Sequence, residues 1–231
     1  MFAERGFDPV TIADIARAAD VAVQTVFNHF ATKEELFFDG RTPWVDGPAE
    51  AVRFREPSTA PLTALRCYLV PLSGSLVGSL DTRERRCYMG TLQASDALRA
   101  RERELVFDSE RRLAEALLEA WTQPPGDRAP DAPADPRTAA PLIAGIWLTA
   151  ARVLVQEKRA LVTSGASPLE LASEAEDVAA GLFAQMETAL DVVAGRAAAQ
   201  VPTPAPVPVD TGWPRPGPSL IAPVAPARRA G

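Results

Sequence analysis

The chain has 231 residues, 47% of them apolar and 23% charged, with a formal net charge of −6. These are the proportions of a globular chain rather than of a disordered or membrane-embedded one, and the negative charge excludes indiscriminate attachment to nucleic acid, so any contact with DNA has to be local. Two cysteines, Cys67 and Cys87, are too few for a disulfide framework and are expected to be reduced and packed as small hydrophobes.

Helical spacing of apolar residues dominates and no strand is expected, so the predicted fold class is all-α. The N-terminal residues 1–42 read as short helices separated by tight turns. Thr11 and Asp14 stand as N-cap and third helical residue, followed by Ile12, Ile15, Ala16 and Ala19 on one buried face. Asp20, Val21 and Ala22 form a three-residue connection. A second short helix then carries Val23, Val26, Phe27 and Phe30 as its apolar face, and Thr32 with Glu35 opens a third. Two short helices joined by three residues, the second with an uncharged polar outer face, suit the major groove. That outer face is Gln24, Thr25, Asn28 and His29. Amides of Gln and Asn match the edge of adenine, Thr can touch a thymine methyl, and His can donate to a base or phosphate. An ordinary helical hairpin with a polar surface satisfies the same spacing.

Longer helices are predicted from about 58 to 122, with breaks near Ser79–Thr82 and Ser95–Leu98. Residues 123–135 carry Pro124, Pro125, Pro130 and Pro133 and read as a loop. Asp135 then caps a helix with Pro136 at its first position, running to about Val162. Its longest uncharged apolar stretch, Thr138 to Ala151, ends at Arg152, short of the roughly 18–20 residues that span a bilayer, so no transmembrane segment is expected. Ser167, Pro168 and Glu170 start the last helix, with a stripe running from Ala175 to Val193. From 198 to 231 the chain is Pro- and Ala-rich, with too little to bury to offset the entropy of ordering, and is expected to be a disordered tail. Met1 to Arg5 has no basic region followed by an apolar run, so no secretory leader is read and a cytoplasmic protein is expected.

Residues 6–36, GFDPVTIADIARAADVAVQTVFNHFATKEEL, resemble the DNA-binding domain of TetR/AcrR-family transcriptional regulators. The shared signature is a Gly-aromatic start, a Thr-capped helix, and a recognition helix ending in aromatic-X-His-Phe before a Lys-Glu pair. The resemblance implies that Thr11 meets a phosphate, that Gln24, Thr25 and Asn28 lie toward base edges, and that His29 and Lys33 approach phosphates. Three positions depart from the pattern: Ala22 where Ser supplies an N-cap, Asp20 in place of the turn glycine, and Phe27 where a tyrosine hydroxyl usually stands. Residues 1–40 carry three basic residues (Arg5, Arg17, Lys33) against seven acidic ones (Glu4, Asp8, Asp14, Asp20, Glu34, Glu35, Asp39), which points to modest DNA affinity. Only five residues precede Gly6, where the family has a full helix, so the sequence is expected to lack most of its first helix.

By the same resemblance, residues 43–197 form a helical ligand-binding and dimerisation domain. Its last two helices would pack into a four-helix interface through the Ala175–Val193 stripe and Leu142, Ile146, Val153 and Leu154. Tyr68, Tyr88, Met89, Gln93 and Trp147 mix aromatic bulk with hydrogen-bonding groups and are the candidate pocket residues. A partly hydrophobic effector is expected, and a carboxylate or acyl thioester would suit an arginine at the pocket mouth. The implied partners are a palindromic double-stranded operator, that effector and a second copy of the chain, with no membrane. The implied function is a repressor relieved by its ligand.

Nothing reads as an enzyme. His29 is the only histidine, no phosphate-loop, HExxH or nucleophile-elbow sequence occurs, and two cysteines twenty positions apart do not make a zinc site, so no catalytic residue, metal or cofactor is expected. The competing reading is a regulator-like dimer that binds a ligand or protein and touches DNA weakly or not at all.

Overall fold

The computed structural model describes residues 1–123 and 132–193; the proline-rich segment 124–131 and the predicted tail from 198 onward lie outside the described residues. Every regular element among the described residues is a helix. The order is α1 Phe2–Arg5, α2 Ile12–Ala18, α3 Val23–His29, α4 Lys33–Phe38, α5 Pro43–Arg53, α6 Pro61–Gly78, α7 Arg83–Ala94, α8 Asp96–Trp121, α9 Pro136–Thr163 and α10 Pro168–Val193. The all-α expectation therefore holds.

Local chemistry sets the boundaries. The Thr11 hydroxyl accepts the Asp14 amide while the Asp14 carboxylate accepts the Thr11 amide, a reciprocal cap on α2. Thr32 accepts from the Glu35 amide at 3.1 Å, and Glu35 reaches back to the amide of Ala31 at 2.8 Å. Between α2 and α3, Asp20 takes φ 54°, a left-handed conformation that a short polar side chain tolerates. Ser95 caps α8 and Asp135 caps α9 with Pro136 at its first position. The break predicted near Ser79 is a single 3₁₀ turn, Ser79–Asp81.

Helix α5 was not legible from periodicity, because Gly47 and Pro48 interrupt its pattern. Pro48 has no amide to give to the carbonyl of Trp44, four residues earlier. Ser109, on α8, supplies the missing donor: its hydroxyl bonds the Trp44 carbonyl at 2.8 Å. Gly47 permits the other unusual contact. The Tyr68 hydroxyl donates to the Pro43 carbonyl at 2.8 Å, and a Cβ on Gly47 would lie 1.8 Å from that oxygen.

The main core lies among α5, α6, α8, α9 and α10, with Leu65, Leu69, Leu113, Leu117, Trp121, Trp147 and Phe183 almost wholly buried. Gly74 brings α6 close to α10, where a Cβ would meet the Glu176 carboxylate at 2.2 Å. Arg66 and Thr63 on α6 bind Glu187 on α10, the arginine at 2.9 Å. A second cluster of Phe7, Phe37, Phe38, Leu92 and Leu98 joins the N-terminal helices to α7 and α8.

Helix α9 revises one sequence expectation. By length and composition alone it is long and apolar enough to cross a membrane, since a window that tolerates Arg152 extends past the point where the uncharged run stops. Here it packs against α8, α10 and α6. Cys67 is exposed and Cys87 partly so, both as free thiols; helical register points Cys67 outward, so it does not pack in the core.

Gly47→Ala is expected to force Tyr68 off the Pro43 carbonyl and to lower stability by about 1–3 kcal/mol, the usual cost of overpacking. Urea unfolding of the two proteins measures it, and Gly47→Ala combined with Tyr68→Phe should recover part of the loss.

Candidate functional site

Helix α3 is held on one side only. Val26 is buried and Phe30 half-buried, but Val23 and Phe27, predicted on the same buried face, are 41% and 47% exposed. The reason is the partner set: α3 packs on α2, whereas α1 packs on α7 and α4 on α8. Periodicity identified the apolar positions and could not say how many helices would cover them. With no side-chain cap at Ala22, α3 owes its place to the turn at Asp20 and to Val26.

The outer face of α3 carries Gln24, Thr25, Asn28 and His29, all exposed. The Gln24 amide donates to the Asn28 carbonyl oxygen at 3.1 Å, so two amide side chains one turn apart lie side by side and hold each other in register. Each retains donors and acceptors for a further partner.

Thr11 and Lys33 are already engaged. The Thr11 hydroxyl donates to Asp14 at 2.7 Å, and hydrogen bonds from the Thr11 hydroxyl and amide hold the Asp14 carboxyl below its ordinary pKa, with Arg17 adding to the effect. The Thr11 hydroxyl is thereby engaged in the cap of α2. The Lys33 ammonium donates to the carbonyls of Phe7 at 2.9 Å, Val10 at 2.9 Å and Asp8 at 3.3 Å, and lies 4.1 Å from the centre of the Phe7 ring. Its three protons are directed at three carbonyls. In this conformation Lys33 clasps the segment before α2 to the start of α4 and has no proton left for a phosphate.

An aromatic train leads from this unit into the helical body. Phe2, Phe7 and Phe37 meet with centroids 5.2–5.7 Å apart. Phe37 then stacks on Tyr88 of α7 at 4.6 Å and an interplanar angle of 11°. Burial pushes the Tyr88 phenol up to about 12, so it remains neutral. Alongside, Ser95 donates to the Asp8 carboxylate at 2.8 Å.

Beyond Tyr88 lie two cavities that share Trp44, Leu76, Glu102 and Arg159 as walls. The larger, about 100 Å³, is lined chiefly by apolar groups of α5, α6, α8 and α9, with Ser73, Ser109, Gln156 and Arg152 among its polar ones. The smaller, about 40 Å³, adds Arg41, Arg85, Tyr88 and Met89. Arg159 donates from Nε and Nη2 to the Leu76 carbonyl at 3.2 and 3.1 Å, and burial lowers its pKa from the ordinary arginine value. Burial raises the Glu102 carboxyl above its usual range, against the pull of Arg159, Arg152 and Arg103.

The predicted pocket residues divide. Tyr88 and Met89 line the smaller cavity. Tyr68 lines a wider open groove of about 660 Å³. Trp147 is core, stacked on Phe183 at 5.0 Å, and Gln93 is exposed with its carbonyl accepting from Arg99. Arg152, Arg159 and Glu102 were missed as pocket residues. The signal for Arg152 was faint but present, since it is the first charge after the uncharged run Thr138 to Ala151, whereas Arg159 follows Glu157 and Lys158 and did not stand out.

Residues 1–39 match the family described as Bacterial regulatory proteins, tetR family. This is a tetR-family DNA-binding domain. The match covers α1 to α4, and the Gln24–Asn28 face of α3 lies within it. No curated protein matches the chain.

Lys33→Met is expected to destabilise the DNA-free protein by about 1.5–3 kcal/mol, the range for hydrogen bonds to a charged group. Chemical denaturation without DNA checks this. A lysine serving only as a phosphate contact would leave that stability unchanged.

Proposed function

We propose that the chain is a homodimeric transcriptional repressor that reads a palindromic operator with α3 and leaves it when a small molecule enters the inner cavity. In this reading residues 1–42 are the DNA-reading unit and residues 43–197 the sensing and dimerising unit of a cytoplasmic protein without catalytic activity. The observation that carries it is the outer face of α3, uncharged, exposed and organised by the Gln24–Asn28 hydrogen bond. Such a face has little to offer a phosphate backbone in general and much to offer base edges in the major groove. Thr25 and His29 flank the amide pair. Thr11 and Lys33 serve the fold of the unit.

Support for dimerisation comes from the outer side of α9. Leu142 and Ile146 are each 58% exposed, with Val153 in line two turns beyond Ile146, and Val178 on α10 is also exposed. The stripe expected from Ala175 onward is divided: Ala175, Ala179 and Phe183 are buried within the chain, because α10 packs its main face on α6. The proposed subunit face is therefore chiefly that of α9. Contiguous exposed apolar surface of this kind marks an interaction site.

One observation favours a second reading, a dimeric ligand- or protein-binding module with weak DNA binding. The unit up to residue 40 is acidic, and both Thr11 and Lys33 spend their donors within the chain. Phosphate contacts set the sequence-independent part of affinity, so this chain has little of it.

Selection from a random duplex pool separates the readings. The repressor reading predicts an inverted repeat with half-sites about one helical turn apart. Asn28→Ala should change the preferred base at one position in each half-site, by about 1–3 kcal/mol of discrimination. Recovery of no enriched sequence would favour the second reading.

A further inference from the structure

Resting on the reading of the inner cavity as the effector site, we propose that its ligand is a small monocarboxylate. The carboxylate seats in the smaller chamber among Arg41, Arg85 and Arg159, and a short apolar body fills the adjoining larger cavity.

Charge decides the head group. Arg41, Arg85 and Arg159 face the smaller chamber, and Glu102 is its single carboxylate. The three guanidinium groups are incompletely used. Arg159 spends Nε and Nη2 on the Leu76 carbonyl, and Nη1 has no hydrogen bond among the described residues. Arg41 spends Nη1 on the carbonyls of Phe37 and Asp39, both at 3.3 Å. The Arg85 side chain has no hydrogen bond or ion pair among the described residues. Three cations against one acid favour an anion, Arg159 from a half-buried position and Arg41 and Arg85 from exposed ones, and guanidinium forks match a carboxylate's two oxygens. Glu102 is the one group that opposes it. Its carboxyl is half-buried, and burial raises it above the usual carboxylate range, which eases its opposition to an incoming anion.

Volume decides the size. About 40 Å³ is a few times the roughly 10–15 Å³ that a cavity needs to hold one water, enough for a carboxylate and its immediate surroundings. An apolar cavity of about 150 Å³ admits benzene, so a larger chamber of two thirds that volume admits a body of roughly four carbons. The body meets Leu69, Leu72, Val106, Leu148 and Val155, and a longer chain would have to displace them.

The site also has a route to α4. A carboxylate on Arg41 competes with the carbonyls of Phe37 and Asp39, and Phe37 is the residue that stacks on Tyr88. Binding therefore bears on the contact that holds the DNA-reading unit to the helical body.

The test is thermal melting of the full chain at pH 7 without DNA, in straight-chain carboxylates of four to eight carbons and in the alcohols and amines of the same lengths. The expected result is a saturable rise in Tm, greatest for five or six carbons, with alcohols at least tenfold weaker and amines without effect. Arg85→Gln, a substitution at an exposed position, should weaken carboxylate binding about tenfold, while Glu102→Gln should preserve or tighten it. Amines matching the carboxylates, a loss on Glu102→Gln with Arg85→Gln unaffected, or no response to any member of the series would overturn the proposal. Because no DNA is present, those failures leave the repressor reading standing. Carboxylate binding that fails to release a selected operator would instead uphold the ligand class and sink the effector role.

Discussion

The stack of Phe37 on Tyr88 is the contact on which the rest of the arrangement depends. Phe37 lies near the end of α4 and Tyr88 in the middle of α7, and the two rings face each other at 4.6 Å, nearly parallel. An aromatic pair contributes about 0.5–1.5 kcal/mol beyond the area it buries, which is large for a unit whose helices are four to seven residues long. Helices that short do not persist alone in water. They persist here because Phe7 and Phe37 are drawn into one cluster with Leu92 and Leu98 of the body, and because Lys33 closes the loop behind them.

That junction also lies beside the two inner cavities. Tyr88 lines the smaller one, Arg41 bridges from the end of α4 to the Tyr88 ring at 5.5 Å, and Arg159 and Glu102 belong to both cavities. A packed core has discrete arrangements rather than a continuum of them, so filling or emptying a cavity at this point bears on how α4 is seated. Coupling of that kind needs a ligand that binds the two arrangements unequally. The arginines supply the means, since they are shared between the chain's own carbonyls and any anion that enters.

Local signals were legible in the sequence wherever one side chain serves its own backbone. Thr11 with Asp14, Thr32 with Glu35, Asp135 with Pro136, and Asp20 in the left-handed turn each act within four residues and appear in the structure as read. Contacts across long separations were not. The clasp made by Lys33 is one of these, since its targets, the carbonyls of Phe7, Asp8 and Val10, lie 23–26 residues earlier. Helix α5 was hidden by Pro48, and the Trp44 carbonyl it leaves without a donor is satisfied by the Ser109 hydroxyl, 65 residues beyond Trp44. The cavity was misread for a similar reason: its walls come from four helices, and size and aromaticity alone drew attention to Trp147, which is core, rather than to Arg159. Val23 and Phe27 show the limit of periodicity, which finds an apolar face without showing what covers it.

Amide hydrogen exchange of the intact protein and of Tyr88→Ala tests the central claim, that the body holds the DNA-reading helices in place through this ring. The account predicts that amides of Ile12–Ala18 and Val23–His29 lose protection in the variant, although Tyr88 lies in neither helix, while those of α6 and α10 keep theirs. Unchanged protection across residues 12–29 would show that the N-terminal unit stands without the stack and would contradict the account.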